Sequence, residues 1–465
     1  MSFKSLIFPG FLLLILANYW ILPRKSYRNA LLLFASYIFY SWWDYRFLTL
    51  ILISSFVDYF CGLRLSSEKS PSRRKLFLSA SLFCNLTILG FFKYFNFFAE
   101  SLENFLLLGG FKPDWTTMHI ILPVGISFYT FQTLSYTIDV YRGKCPVCRD
   151  PLTFFLFVAF FPQLVAGPIE RARRLIPQLE ASKTFNARNA EQGLRYILYG
   201  YFLKIVVADN LARIVDTVYR DPYAHSGWDL ILATYSFAFQ IYGDFAGYSY
   251  IAIGSAALFG INLCQNFRSP YFAMSIKEFW TRWHISLSTW FKDYVYIWAL
   301  RGSRVTPLRR VCNVIATFTL SGLWHGANWT FLFWGLLNGS FYFLPAVFRQ
   351  RHPICSLVNT LVTFNLICVG WIFFRAENLV AAFQILRTIV TDPFPKLELL
   401  GISEALLLLN LALLLIFEFI QRNREDVIVL DRFPRFVRWG AYYLTALLIF
   451  FTGQFSRVPF IYFQF

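Results

Sequence analysis

The sequence predicts an all-α polytopic membrane protein, and three observations carry that prediction. Of 465 residues, 57% are hydrophobic and only 15% charged, against about 25% charged in an ordinary soluble domain. With 55 Phe and 14 Trp, no soluble fold of this length hides so much apolar surface, and a lipid environment removes the need to. Apolar segments of bilayer-crossing length, ~17–25 residues, recur along the whole chain, with loops between them that alternate between basic and non-basic.

Taken in order, the spans read as 5–22, 29–43, 47–63, 76–98, 119–138, 194–217, 229–259, 311–325, 328–348, 355–374, 400–419 and 439–454, which suggests about 11–12 transmembrane helices. The first apolar run, Leu6 to Leu22, follows a lone Lys4 and lacks a small-residue cleavage site, so it is expected to be a retained span. Arg24, Lys25 and Arg28 follow it; the next loop has only Arg46; the one after has Arg64, Lys69, Arg73, Arg74 and Lys75. Residues 99–118 then offer Lys112 beside Glu100, Glu103 and Asp114, before Arg142, Lys144 and Arg149 restore basic charge. Basic loops stay cytoplasmic, so the alternation places the N-terminus outside the cell, in a multi-pass inner (plasma) membrane protein. Residues 152–170 are apolar but interrupted by Pro162 and Pro168; such a segment is expected to be re-entrant, because irregular backbone facing lipid leaves polar groups unsatisfied. Residues 271–300 interleave Trp280, Trp283, Trp290 and Trp298 with Lys277, Glu278, Arg282, Lys292 and Asp293, a pattern suited to an interfacial or funnel-lining helix. With no fixed-period repeat, low-complexity tract or soluble domain in sight, residues 1–465 read as one membrane-embedded domain.

The net charge of +17 would suggest nucleic acid for a soluble protein. Here the basic residues sit in loops, where they orient spans, so the bilayer is the expected partner and nucleic acid is not. Of eight Cys, most are scattered through apolar stretches and behave as small buried hydrophobes. Cys145-Pro-Val-Cys148 has no second pair at zinc-site spacing, and a structural role is expected; no metal or bound cofactor is called for. No Gly-rich phosphate loop, nucleophile elbow or HExxH helix appears.

Ionisable groups within membranes are costly, which makes each a functional candidate. Of five His, His119, His225 and His352 lie near span ends or loops, while His284 sits in TRWHISLSTW and His325 in SGLWHGANWTFLFWG. Gly322 and Gly326 flank His325 and permit close backbone approach or a bend. A neutral imidazole there is suited to take a proton from an alcohol; a buried His satisfied by a neighbouring carbonyl is the plainer reading. Asp244 lies four residues after Gln240, on the same helical face. It could orient a His, hold a helix junction or coordinate a cation, and a positioning role is favoured.

Several blocks then point one way. PVGISFYTFQTLSYTIDVYRG (123–143), VAGPIER (165–171), YGDFAGYSYIAIG (242–254), NFRSPYFAMSIKEFWTRWHISLSTWFKDYVYI (266–297), SGLWHGANWTFLFWG (321–335) and the closing PFIYFQF (459–465) together resemble the membrane-bound O-acyltransferase (MBOAT) family, and within it the AlgI-like alginate O-acetylation subgroup. The resemblance implies an MBOAT fold, with helices ringing a thin centre and a funnel reaching a catalytic His from the cytoplasm. It casts His325 as that His and His284 as a second catalytic group. Trp280, Arg282 and Trp283 would line the approach, with Trp324, Asn338 and Asp244 as further substrate-binding residues. Asn338 stands where the family's WGxxHG has a second His, Tyr250 where an Asp often follows GYS, and Trp298-Ala-Leu-Arg301 where IPLGG is usual.

The activity implied is acyl transfer from a cytoplasmic thioester donor, acetyl-CoA by resemblance, to hydroxyls of an extracytoplasmic alginate-like polysaccharide. A periplasmic SGNH-type acetyltransferase is implied as a partner that completes the transfer. The alternatives are acyl or D-alanyl transfer to teichoic acid, lipid or protein, and a non-catalytic polysaccharide transporter.

Overall fold

The computed structural model describes residues 1, 3–5, 7–111, 120–165, 167–300, 305–348, 352–394, 402–422, 430, 433–455 and 460–461. Every regular element among them is helical. The all-α membrane architecture read from composition is therefore the one observed. Three helical stretches are long and apolar enough to cross a bilayer: Tyr45–Ser67, Pro71–Leu108 and Pro353–Arg375. The others are shorter, less apolar or interrupted. Phe83 and Phe105 on Pro71–Leu108 are 75% and 70% exposed, as lipid-facing side chains would be.

The chain divides into two compact units, residues 1–194 with 252–264, and residues 195–251 with 265–465. In the first, Leu48–Ser67 packs on Ile126–Tyr141 and on Pro71–Leu89, and Lys25–Ser41 packs on Pro151–Ala159. Its core holds a buried polar knot. Asp58 accepts hydrogen bonds from Ser81, from Asn85 Nδ2 at 2.8 Å and from Thr137 Oγ1 at 2.9 Å, which satisfies a carboxyl that would otherwise be costly at this depth. The apolar segment at 152–170 does break. Pro151–Ala159 ends at Phe160, and a single further turn, Phe161–Leu164, follows. Pro162 accounts for it, because a proline inside a continued helix would have no N–H for the Val158 carbonyl and would clash with it. The span expected at 119–138 starts late, at Ile126, behind Pro123 and a left-handed Gly125; His119 lies outside the described residues.

Gly227–Leu258 is a long, largely buried helix whose residues up to Ile251 belong to the second unit. Ala187–Tyr201 leads through a π-helical segment, Phe202–Ala208, into Asp209–Arg220. Pro307–His325 and Trp329–Phe341 form a tight hairpin. The first helix begins with Thr306 Oγ1 capping Arg309 N–H at 3.2 Å and Pro307 in its first turn; the second begins with Asn328 Oδ1 capping Thr330 N–H at 3.0 Å. Both are favourable helix starts. A Cβ on Gly322 would lie 2.1 Å from the Phe331 carbonyl oxygen, and one on Gly335 would lie 2.4 Å from that of Phe318. Only glycine lets these backbones come so close. Pro353–Arg375 packs on the hairpin's second helix, and His352 caps it by accepting from Ile354 N–H at 3.3 Å. His225 lies in a loop after the Pro222–Ala224 turn.

The aromatic stretch 271–300, expected to run as an interfacial helix, is instead broken into Ile276–Arg282, Ile285–Phe291, a π-helical turn Lys292–Tyr296 and Ile297–Ala299. The break is His284, whose φ of 42° and ψ of 53° are left-handed. Arg301, at the end of the WALR segment, lies outside the described residues.

Candidate active site

His325 is the last residue of its helix, and Gly326 leaves in extended conformation. The Gly326 position has room for no side chain, since a Cβ would lie 2.1 Å from the Phe331 ring. His325 is buried among aromatic rings, edge-on to Trp334 at 5.2 Å and to Phe374 at 5.5 Å between centroids. Its neighbour Trp324 is buried as well.

His284 reaches the same place from another part of the chain. Its ring centroid lies 6.2 Å from that of His325 and 5.9 Å from Trp324, and Phe245 meets it edge-on at 4.5 Å. A left-handed non-glycine residue costs about 1–3 kcal/mol and persists only where its surroundings impose it. Asn266 imposes it here. Its carbonyl accepts from Ile285 N–H at 3.0 Å, its Oδ1 accepts from Ser286 N–H at 3.2 Å, and its Nδ2 donates to Ser249 at 3.0 Å. Asn266 thus holds the turn that presents His284 on its C-terminal flank, and Arg268 N–H holds the other by donating to the Arg282 carbonyl at 3.0 Å. Nothing in the local sequence marks Asn266 for this role.

The other expected residues separate. Trp283 is buried and stacks on Phe279 at 5.5 Å and 18°, and Trp371 lies 5.1 Å away. Trp280 contacts Trp334 at 5.7 Å, which places it one indole from His325. Asn338 is buried one turn beyond Trp334, with its Nδ2 donating to the Trp334 carbonyl at 2.9 Å. Arg282 is engaged elsewhere, in an ion pair with Glu278 at 2.6 Å and a hydrogen bond to the Arg422 carbonyl at 3.0 Å. Asp244 faces Lys204, 2.6 Å away, and accepts from Ile461 N–H at 2.7 Å; Lys204 also pairs with Asp209 at 2.8 Å. That places Asp244 in a buried ionic cluster, while the next residue, Phe245, carries the contact to His284. Of the closing PFIYFQF motif, Phe460 packs on Tyr248 at 4.3 Å; residues 459 and 462–465 lie outside the described residues.

Beside this centre lies a cleft of about 510 Å³. Val314, Phe318 and Ser321 line it from one face of the helix that ends at His325, and Trp280 lines it from the other side. Ser321 is four residues from His325, one helical turn, so the cleft stops one turn and one indole short of the imidazole. Lys277, Lys292 and Arg310 contribute positive charge to its walls. Cys145 and Cys148, in the first unit, are buried free thiols directed at the Pro146 and Asp150 carbonyls. Among the described residues no three His, Cys, Asp or Glu side chains gather as metal ligands would.

Residues 149–379 match the family model described as MBOAT, membrane-bound O-acyltransferase family. The chain is 41% identical to the probable alginate O-acetylase AlgI of Azotobacter vinelandii, covering 83% of this chain and 77% of that protein. The chain belongs to the membrane-bound O-acyltransferase family. It is 37% identical to the peptidoglycan O-acetyltransferase of Helicobacter pylori over 77% of this chain and 73% of that one. The teichoic acid D-alanyltransferase of Bacillus subtilis is more distant, at 27% over 57% of this chain and 72% of its own. The protein is an acyltransferase, and the reading as a non-catalytic transporter is set aside.

Proposed function

We propose that this acyltransferase carries an acetyl group from a cytoplasmic thioester, acetyl-CoA, to hydroxyls of an extracytoplasmic, alginate-like polysaccharide. The observation that carries the reading is the pairing of His325 and His284 in one buried aromatic enclosure, at the end of a helix whose face leads to a basic-walled cleft. His325 acts as general base. The acceptor oxygen loses its proton to the imidazole and attacks the thioester carbonyl; the C–S bond breaks, and the departing thiolate takes that proton back. In this reading His284 and Asn338 steady the developing oxyanion in a water-poor site. Lys277, Lys292 and Arg310 suit a donor that carries phosphates, and Trp280 stands between their cleft and the Trp334 ring that touches His325. Trp283 and Trp324 shape the enclosure, while Arg282 and Asp244 hold elements in place.

The substrate class is supported by the alginate and peptidoglycan acetylation named for its relatives. The chain works as one membrane-embedded domain in the inner membrane, N-terminus outside; the acceptor oxygen at His325 belongs to a hydroxyl of an SGNH-type periplasmic partner, which then passes the acetyl group to the polysaccharide hydroxyl. A family match that runs through both compact units supports the single-domain reading.

The test replaces His325 by Ala, verifies that the variant inserts and stays monodisperse in detergent, and measures polymer-bound acetate by mass spectrometry of surface glycans. Loss of the ester is expected, and unchanged acetylation overturns the mechanism. The same spectra separate acetyl from D-alanyl esters, the alternative that the Bacillus relative keeps open.

A further inference from the structure

Away from the catalytic centre, three cations of the first unit gather around a small pocket of about 100 Å³. Lys25 opens the second helix, Arg28 lies one turn along it, and Lys183 comes from the loop after Ala172–Glu180. Lys25 and Arg28 are held by backbone oxygens. Lys25 donates to the Glu180 carbonyl at 2.9 Å, and Arg28 donates to those of Leu22 at 2.8 Å and Lys183 at 2.7 Å. Among the described residues no carboxylate forms an ion pair with any of the three. Partial burial pushes the Lys183 ammonium below its ordinary value.

The pocket is built rather than incidental. The Arg28 guanidinium lies 5.2 Å from the ring centres of both Tyr19 and Trp20, contacts that order a cation before any ligand arrives. Tyr19 and Trp20 are fixed in turn by hydrogen bonds to the Phe259 and Leu258 carbonyls. Gln178 exchanges two hydrogen bonds with the Asn262 backbone, and Asn29 Nδ2 donates to the Leu179 carbonyl at 3.0 Å. Lys25 and Arg28 are thus held by neutral acceptors and share the pocket with Lys183, which leaves their positive charge for an anion to neutralise.

The setting indicates the source of that anion. The pocket sits at the end of the apolar helix Ile7–Ile21, whose Leu13, Leu14 and Ile21 are exposed, as lipid-facing residues would be. Tyr and Trp at the end of such a helix mark the headgroup level, where basic pockets take lipid phosphates. We infer that Lys25, Arg28 and Lys183 form a binding site for the phosphate of an anionic membrane lipid.

Native mass spectrometry of the detergent-purified full chain, titrated with phosphatidylglycerol or phosphatidylcholine, tests this. Phosphatidylglycerol is expected to bind at least about tenfold more tightly. The double variant K25Q/K183Q, confirmed folded by size exclusion, is expected to bind it about 30-fold more weakly through the loss of two adjacent cations. K69Q/K75Q removes the same charge elsewhere and leaves binding unchanged. Equal binding of the two lipids, or equal loss in the two double variants, overturns the site. Complete displacement of phosphatidylglycerol by excess inorganic phosphate assigns the pocket to a soluble phosphate and overturns the lipid assignment.

Discussion

Replacing Lys204 by Met probes the buried cluster that anchors the long helix beside His284. The Lys204 and Asp209 side chains are each 1% exposed and that of Asp244 is 4% exposed. Lys204 stands 2.6 Å from Asp244 and 2.8 Å from Asp209, one cation serving two carboxylates. Removing one partner of a buried pair costs about 3–5 kcal/mol, and K204M takes the cation from both acids at once. Asp244→Asn is milder. Its amide oxygen still accepts from Ile461 N–H, Lys204 keeps Asp209, and the loss is one charge-assisted hydrogen bond, about 1.5–3 kcal/mol. With about 2–4 °C per kcal/mol in a unit of this size, K204M lowers the melting temperature by at least about 6 °C and D244N by less. The double variant, with no cation left facing a lost partner, melts well above the sum of the two losses. Thermal unfolding of the detergent-purified chain, followed by tryptophan fluorescence, gives all three values. A D244N loss equal to or larger than that of K204M, or strictly additive losses, would refute the charge accounting.

Three further outcomes follow from the geometry around the histidines. Gly322→Ala places a methyl 2.1 Å from the Phe331 oxygen, so it costs about 1–3 kcal/mol and lowers kcat by on the order of 100-fold through displacement of His325; Gly440→Ala, which meets nothing within 4 Å, changes neither. Thr317→Trp fills part of the cleft from the helix face it shares with Ser321 and is expected to raise KM for the acyl donor while leaving stability within about 0.5 kcal/mol; an unchanged KM would exclude the cleft as the donor route. Asn266→Ala leaves the buried Ser286 N–H without its acceptor, costing about 1–3 kcal/mol, and lowers kcat as His284 leaves its left-handed turn; full activity in that variant would remove His284 from the chemistry.

The helical, membrane-embedded character was legible because it depends on composition, which needs no tertiary partner. The break at 152–170 was equally legible, since Pro162 stops a helix by local sterics. His284 shows the opposite case. Its left-handed turn has no glycine or asparagine at the turning residue, and the acceptors that force it belong to Asn266, remote in sequence. The two histidines were joined only by resemblance, because each lies in an apolar, aromatic context that reads equally well as core. Lys204 stands in the apolar run 194–217 with Asp209 five residues on, a spacing off the i, i+4 helical face that a π-helical segment brings together, and its second carboxylate, Asp244, lies outside the run. Asp244 was visible as an intramembrane acid, yet whether it faced substrate or a salt bridge depended on a π-helical segment from a different part of the chain.

That last distinction bears on how the site is held. Successive residues on a helix point about 100° apart, so Asp244 and Phe245 address different neighbours from one position along the axis. Asp244 takes Lys204 and the Ile461 N–H, and Phe245 meets the His284 ring. The rotation of Gly227–Leu258 that seats the carboxylate on its cation is therefore the same rotation that sets the phenyl ring against the imidazole. A slip toward either neighbour loses both, because an unseated buried carboxylate is far costlier than a displaced ring contact. Under the proposed mechanism Asp244 acts on the chemistry through Phe245 and His284, a positioning role. D244N should accordingly alter kcat more than the KM of the donor; a selective rise in KM would mean that the carboxylate binds substrate after all.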